Sequence, residues 1–277
     1  MTNPADHPLD HFLEVATEAA QAAGEVLKKF AGSLSNIQEK GRPGDLVTEA
    51  DRASEEVVLE VLRRRLPDHA VLAEESGSLE GASQTPYLWA IDPLDGTTNY
   101  THSYPFYAVS IGLLIDGVPS VGVVFNTALG ELFQAAAGRG ATCNQKPISV
   151  SATAQLRDSL LVTGFAYDRR ETIDNNYAEF CHLTHLTQGV RRGGSASVDL
   201  AYVACGRLDG YWERGLSPWD LAAGVVLVRE AGGHITAYDQ SPFDLGSGRI
   251  LATNGILHES LSRELTSIKP LQEFSPA

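Results

Sequence analysis

At 277 residues, with 43% apolar and 20% charged side chains, 26 glycines and 13 prolines, the chain has an ordinary globular composition. It is long enough to bury roughly three quarters of its unfolded surface. Its 21 basic and 35 acidic residues leave a net charge of -14, which disfavours non-specific binding to nucleic acid or anionic lipid; an anionic ligand would need a cation, most simply a metal ion, to reverse the local field.

The residues from Phe12 through Ala16, Ala19, Ala23, Val26 and Phe30 recur at helical spacing and stop at Gly32. A second helix is expected over 48–66, with Val57, Val58, Val61 and Leu62 inward and Pro67 ending it; residues 40–45 between them read as a loop. Two short apolar strands, 70–73 and 87–91, each end abruptly at carboxylates. From 106 to 151, strand-like runs separated by turn residues predict an antiparallel meander. Beyond it the pattern alternates: strands at 159–165, 208–212, 234–238 and 250–252, and helices at 175–186, 197–205, 219–231 and 257–268. A single domain over 1–277 is expected, built of two closely packed halves, 9–148 and 149–268, with a frayed tail at 269–277.

Cys143, Cys181 and Cys205 are odd in number and lack CxxC spacing, which predicts buried thiols in a reducing compartment. The first ten residues lack the basic start and apolar run of a secretory signal, and the apolar stretch at 109–125 is cut by Asp116, Gly117 and Pro119. A cytoplasmic protein with no membrane partner is expected.

The most informative segment is Asp92-Pro93-Leu94-Asp95-Gly96-Thr97-Thr98-Asn99. A turn of this kind can aim both carboxylates and the Leu94 carbonyl at one hard cation, while the Gly96 and Thr97 amides suit a phosphate oxygen; Asp beside Pro and Gly equally often only caps a turn. Glu74 and Glu75 stand at a strand end, where alternation would point them to opposite faces, so they are not expected to chelate one ion together. Asp51, three residues after Thr48, reads as a capping acid, whereas Asp45 has no such local role. Asp220 opens an apolar helix whose Ala222, Ala223 and Gly224 imply tight packing. Arg191 or Arg192, in a loop of small residues, could pair with phosphate or carboxylate. His182 and His185 read as helix-surface residues. The phosphate-loop, dinucleotide, zinc-protease and serine-esterase motifs are all lacking.

Three ordered blocks, Ala73-Glu74-Glu75-Ser76, Asp92 to Asn99, and Trp219-Asp220-Leu221-Ala222-Ala223-Gly224, resemble the inositol monophosphatase family of Mg²⁺-dependent, Li⁺-sensitive phosphatases. The Gly44-Asp45-Leu46-Val47-Thr48, Gly194-Ser195-Ala196 and Asp209 to Glu213 segments match as well. The resemblance implies a five-layer αβαβα sandwich, a homodimer and a site between the two halves. It implies that Glu74, Asp92 and the Leu94 carbonyl hold one Mg²⁺, that Asp92, Asp95 and Asp220 hold a second, and that Glu75 positions a third through water. Asp45 and Thr97 would activate the attacking water, Lys40 would lie near the third ion or the phosphate or else in solvent, and Glu213 and Asp220 would bind polyol hydroxyls. Glu74, Asp95, Gly96, Thr97, Gly194, Ser195 and Ala196 complete the implied substrate contacts. Ser197 stands where the family pattern has a second alanine. The implied reaction is hydrolysis of myo-inositol 1-phosphate by direct attack of water. Alternatives are fructose-1,6-bisphosphate, histidinol-phosphate or nucleotide 3′-phosphate hydrolysis, or a binding role with the transcription and ribosome machinery.

Overall fold

The first apolar stripe forms α1 (Leu9–Phe30), which buries Phe12, Ala16, Ala19, Ala23 and Leu27. Two short strands, β1 (Ile37–Glu39) and β2 (Leu46–Thr48), pair as an antiparallel ribbon around the 40–45 loop. Next comes α2 (Glu49–Arg65), started by a reciprocal capping box between Thr48 and Asp51; Val58, Val61 and Leu62 face inward and Val57 is half-buried. The computed structural model describes residues 7–78 and 85–271; residues 272–277 of the expected tail lie outside that range.

The large sheet comprises β3 (Ala70–Ala73), β4 (Gly77–Ser78), β5 (Tyr87–Asp95), β6 (Ala108–Ile115), β7 (Val118–Asn126), β8 (Glu131–Ala136), β9 (Gly140–Cys143) and β10 (Lys146–Pro147), with a short helix α3 (Thr97–Thr101) after β5. Its order is β10-β9-β8-β7-β6-β5-β3-β4, and β6 through β10 form the expected meander. The second segment of the chain gives β11 (Leu160–Thr163), α4 (Tyr177–Leu186), β12 (Gly189–Arg191), α5 (Ala196–Ala204), β13 (Gly210–Glu213), α6 (Pro218–Glu230), β14 (His234–Thr236), β15 (Ile250–Thr253) and α7 (His258–Ser267). Five of its elements form a sheet of order β12-β11-β13-β15-β14.

Helices α1 and α2 cover one face of the large sheet, α5 and α6 fill the space between the sheets, and α4 and α7 cover the outer face of the small sheet. This is the αβαβα sandwich. The central layer is thin because glycines meet alanines: a Cβ on Gly122 would lie 2.4 Å from the Ala223 carbonyl oxygen, and one on Gly112 would lie 2.5 Å from the Ala222 Cβ. That contact seats the start of α6, and with it Asp220, against β6 and β7.

Two expectations are corrected. The strand expected to end at Ile91 continues as β5 to Asp95, with a register shift against β6 between Asp92 and Asp95, so the acidic motif is a bulged strand end rather than a separate turn. The thiols are not uniformly buried: all three are free, Cys143 and Cys205 are half-buried, and Cys181 is exposed. Among the described residues no helix is long and apolar enough to cross a membrane.

Candidate active site

Where the two segments of the chain meet, a cavity of about 240 Å³ is lined by Lys40, Asp45, Glu74, Asp92, Leu94, Asp95, Gly96, Thr97 and Asp220, with Tyr167 and Gly215 at one side. It runs into a narrower one of about 100 Å³, lined by Gly164 to Tyr167, Arg192, Gly194, Ser195, Ala196 and Glu213. Asp95, Tyr167, Gly215 and Asp220 line both. The larger depressions elsewhere, along α1 and beside α4, have no buried acid among their lining residues. His182 and His185 lie on α4, both exposed, with His182 Nε2 2.7 Å from Glu264.

The β5 bulge turns Asp92 and Asp95 inward from one strand end, and both are almost fully buried. Asp92 Oδ1 accepts the Leu94 amide at 2.9 Å. Asp95 is held from the other segment: its Oδ2 accepts the Ser195 hydroxyl at 2.7 Å, the Ser197 amide at 2.7 Å and the Ser197 hydroxyl at 2.6 Å. The serine that departs from the family pattern thus supplies two of these three donors. Asn99 ties the same loop down, donating to the carbonyls of Phe106 at 2.6 Å and Gly193 at 3.0 Å. Asp220 Oδ2 accepts the Ser217 amide at 2.7 Å in a capping box.

Glu74 and Glu75 do not point apart. Strand β3 ends at Ala73, both glutamates fall in the turn that follows, and both carboxylates reach the Lys40 ammonium, Glu74 at 2.8 Å. Strand alternation does not apply to a turn, so one cation can engage both acids.

Thr97 is paired with Asp51 rather than with Asp45. Its hydroxyl lies 2.9 Å from Asp51 Oδ1 and 3.1 Å from the Leu94 carbonyl, while Asp51 Oδ2 accepts the Thr48 amide and hydroxyl. Asp45 is half-buried and lines the cavity, with no hydrogen bond to Thr97. The signal for Asp51 was the capping spacing itself, which accounts for one carboxylate oxygen and leaves the other free to act.

The electrostatics are those of acids short of cations. Burial, reinforced by Glu74, Asp95 and Asp220, pushes Asp92 well above the carboxylate range. Withdrawal from water, with Asp95 and Glu74 nearby, does the same to Asp220. Asp95 is raised by burial even though the donors of Ser197 and Ser195 pull the other way. Burial also lifts Glu75 to about 7 against the pull of Lys40, and raises Asp45 and Asp51. In the narrower cavity burial lifts Glu213 to about 7, although Tyr211 donates to it at 2.6 Å. Gly164 makes room for this carboxylate, since a Cβ there would lie 2.1 Å from Glu213 Oε2. Tyr167 was not singled out in the sequence: it sits in a loop, and only the fold brings it beside Asp45 and Glu74, where partial withdrawal from water and these acids raise its phenol although the residue is 47% exposed.

A five-layer stack with an acid-lined cleft where its two segments meet is the architecture of a phosphatase fold: the solved structure of an inositol monophosphatase from Anabaena matches it with a TM-score of 0.88 and 61% identity, over 96% of this chain and 100% of the other. The chain belongs to the inositol monophosphatase family, whose family model matches residues 8–269. An inositol-1-monophosphatase from Synechocystis is 64% identical over 265 residues, covering 96% of this chain and 91% of the relative. The Nus factor SuhB of Pseudomonas aeruginosa is 43% identical over 263 residues, covering 93% and 96%.

Proposed function

We propose that the protein hydrolyses phosphate monoesters of small polyols, inositol 1-phosphate first among them, as a cytoplasmic homodimer using two to three Mg²⁺ per subunit. The observation that carries this reading is the convergence of Glu74, Asp92, Asp95 and Asp220 on one cavity, with burial raising the three aspartates and neighbouring acids raising Asp92 and Asp220 further.

The residues fit a hard divalent cation. Their donors are all oxygens, and the only basic side chain lining the cavity among the described residues, Lys40, is engaged with the glutamates. Among the described residues no three acidic, histidine or cysteine side chains are gathered closely enough to hold a metal ion by themselves. An open set of this kind suits Mg²⁺, which keeps several waters and is held by one or two carboxylates together with substrate phosphate. Glu74, Asp92, Asp95, Asp220 and the Leu94 carbonyl would hold it. When bound, the cation neutralises the acids and the phosphate charge and lowers the pKa of water.

The chain's own residues supply the proton path and the orientation. Thr97 can take a proton from the attacking water as its hydroxyl passes its own to Asp51, whose raised pKa makes it a better base than a solvated aspartate. Glu213 and Asp220 accept hydrogen bonds from polyol hydroxyls in the adjoining cavity. Asp45, on the cavity rim, orients water rather than relaying its proton.

Phosphate release from inositol 1-phosphate, measured with Mg²⁺ and with EDTA beside fructose 1,6-bisphosphate, histidinol phosphate and a nucleotide 3′-phosphate, tests the reading. Turnover of inositol 1-phosphate that requires Mg²⁺ supports it; a bisphosphate with the dominant kcat/KM would displace inositol phosphate from first place. The kinship to the Nus factor SuhB favours a second, binding role. With a net charge of -14 the partner would be a protein rather than RNA. An Asp95→Asn variant that loses hydrolysis but keeps such binding would separate the two.

A further inference from the structure

Between β11 and α4 the chain runs through residues 164–176 without a helix or strand to hold it, so side chains must fix its course. One of them comes from the opposite wall of the narrower cavity. Arg214 follows Glu213 at the end of β13 and precedes Gly215, and both of these neighbours line that cavity. The arginine itself is turned away from it, with a side chain only 12% exposed. Its Nη2 and Nη1 donate to the two oxygens of Asp168 at 2.7 and 3.2 Å, the paired fork that a carboxylate matches, while Nε donates to the Asp174 carbonyl. Arg249 pairs with the Asp174 carboxylate. One guanidinium thus ties down both shoulders of the loop, and its hydrogen bonds hold the Asp168 carboxyl below the usual carboxylate range.

Tyr167 lies between two fixed neighbours. Asp168 is clamped by Arg214, and Ala166 is seated on Gly215, where a Cβ would lie 2.6 Å from the Ala166 Cβ. The tyrosine between them lines both cavities. With the reacting phosphate in the larger cavity and polyol hydroxyls in the narrower one, a substrate that spans the two must pass this side chain. A tyrosine ring can cover the C–H face of a polyol while its hydroxyl meets one of the polyol's own. Neither Asp168 nor Arg214 lines either cavity, so the pair can act on a ligand only through what it holds.

We propose that Arg214 is a positioning residue for the polyol: through Asp168 and Asp174 it fixes Tyr167 as the wall shared by the two cavities, and so sets how tightly the leaving group is held without taking part in the chemistry. The proposal rests on the phosphatase reading above.

The test is steady-state kinetics on inositol 1-phosphate at saturating Mg²⁺, in the wild type and in Arg214→Ala, Arg214→Lys, Asp168→Ala, Tyr167→Ala and the double variants. Arg214→Ala and Asp168→Ala are each expected to raise KM by about tenfold, with kcat within about threefold of wild type. Arg214→Lys should recover part of the loss, since it keeps the charge but not the fork. Tyr167→Ala should raise KM to a similar extent, and adding Arg214→Ala to it, or to Asp168→Ala, should raise KM by less than about twofold more, because the three act as one unit. A wild-type KM in Arg214→Ala, a fall in kcat as large as the rise in KM, or a full further rise on the Tyr167→Ala background would each overturn it. Should Arg214→Ala fail to fold, Arg214→Lys and Asp168→Ala carry the same comparison. A wild type without Mg²⁺-dependent turnover of inositol 1-phosphate would instead count against the phosphatase reading.

Discussion

The Thr97 hydroxyl lies 2.9 Å from one oxygen of Asp51 while the other oxygen of the same carboxylate caps α2. Helix start and proton path therefore share one side chain. Asp51→Asn is expected to lower kcat by about a hundredfold or more, and to cost about 1 kcal/mol of stability through the weakened cap. Asp45→Asn, on the cavity rim, is expected to cost less than about tenfold in kcat. Steady-state kinetics of the two variants side by side decides between the acids, and a larger loss for Asp45→Asn would reverse the assignment.

Asp95 depends on donors from across the cleft, two of them from Ser197. Asp95→Asn should lower kcat by about a hundredfold or more. Ser197→Ala removes one hydrogen bond to the carboxylate, so the Kd for Mg²⁺ should rise about three- to tenfold with the fold intact. Calorimetric titration measures this, and an unchanged Kd would show that the hydroxyl does not support the ligand.

Raised carboxylates set the sign of the pH dependence. Glu75 and Glu213 titrate near 7 in the folded chain against an ordinary value of 4.5. Between about 4.5 and 7 the folded state holds more protons than the unfolded one, so stability falls as pH rises through that window. Melting curves in EDTA should show Tm dropping from pH 5 to pH 7.5, with a shallower drop in Glu213→Gln, and saturating Mg²⁺ should restore it. A Tm in EDTA that rises over this range would contradict the electrostatics.

The thin middle layer predicts a packing cost. Gly122→Ala puts a methyl 2.4 Å from the Ala223 carbonyl oxygen, so α6 must shift, and stability should fall by about 2–3 kcal/mol. Because Asp220 rides on that helix, Mg²⁺ affinity should fall with it. Chemical denaturation together with metal titration checks both, and wild-type stability would mean the layer can relax.

Much of the fold was legible because apolar spacing carried it: the helical stripe through Phe12, Ala16 and Ala19, and the meander punctuated by Asp116-Gly117 and Gly138, reappear as α1 and β6 to β10. The acids were legible as residues, but their geometry was not. Glu74 and Glu75 were read by strand alternation, which fails once the strand ends at Ala73. Asp51 was read as a cap, which it is, because sequence spacing shows only the local oxygen and not the one that meets Thr97, 46 residues further along the chain. Tyr167 sits in a loop whose position depends on the packing of the two sheets, and the sequence singled out Arg191 or Arg192 without showing that Arg192 is the one lining the cavity.

Above all, the cleft acids Glu74, Asp92, Asp95 and Asp220 are expected to grip divalent cations. Calorimetric titration of Mg²⁺ into EDTA-treated protein tests it most directly. Saturable binding of at least one ion per chain, weakened about tenfold or more in Asp92→Asn and Asp220→Asn, is the predicted result. No measurable uptake, or uptake with the same affinity in both variants, would contradict it.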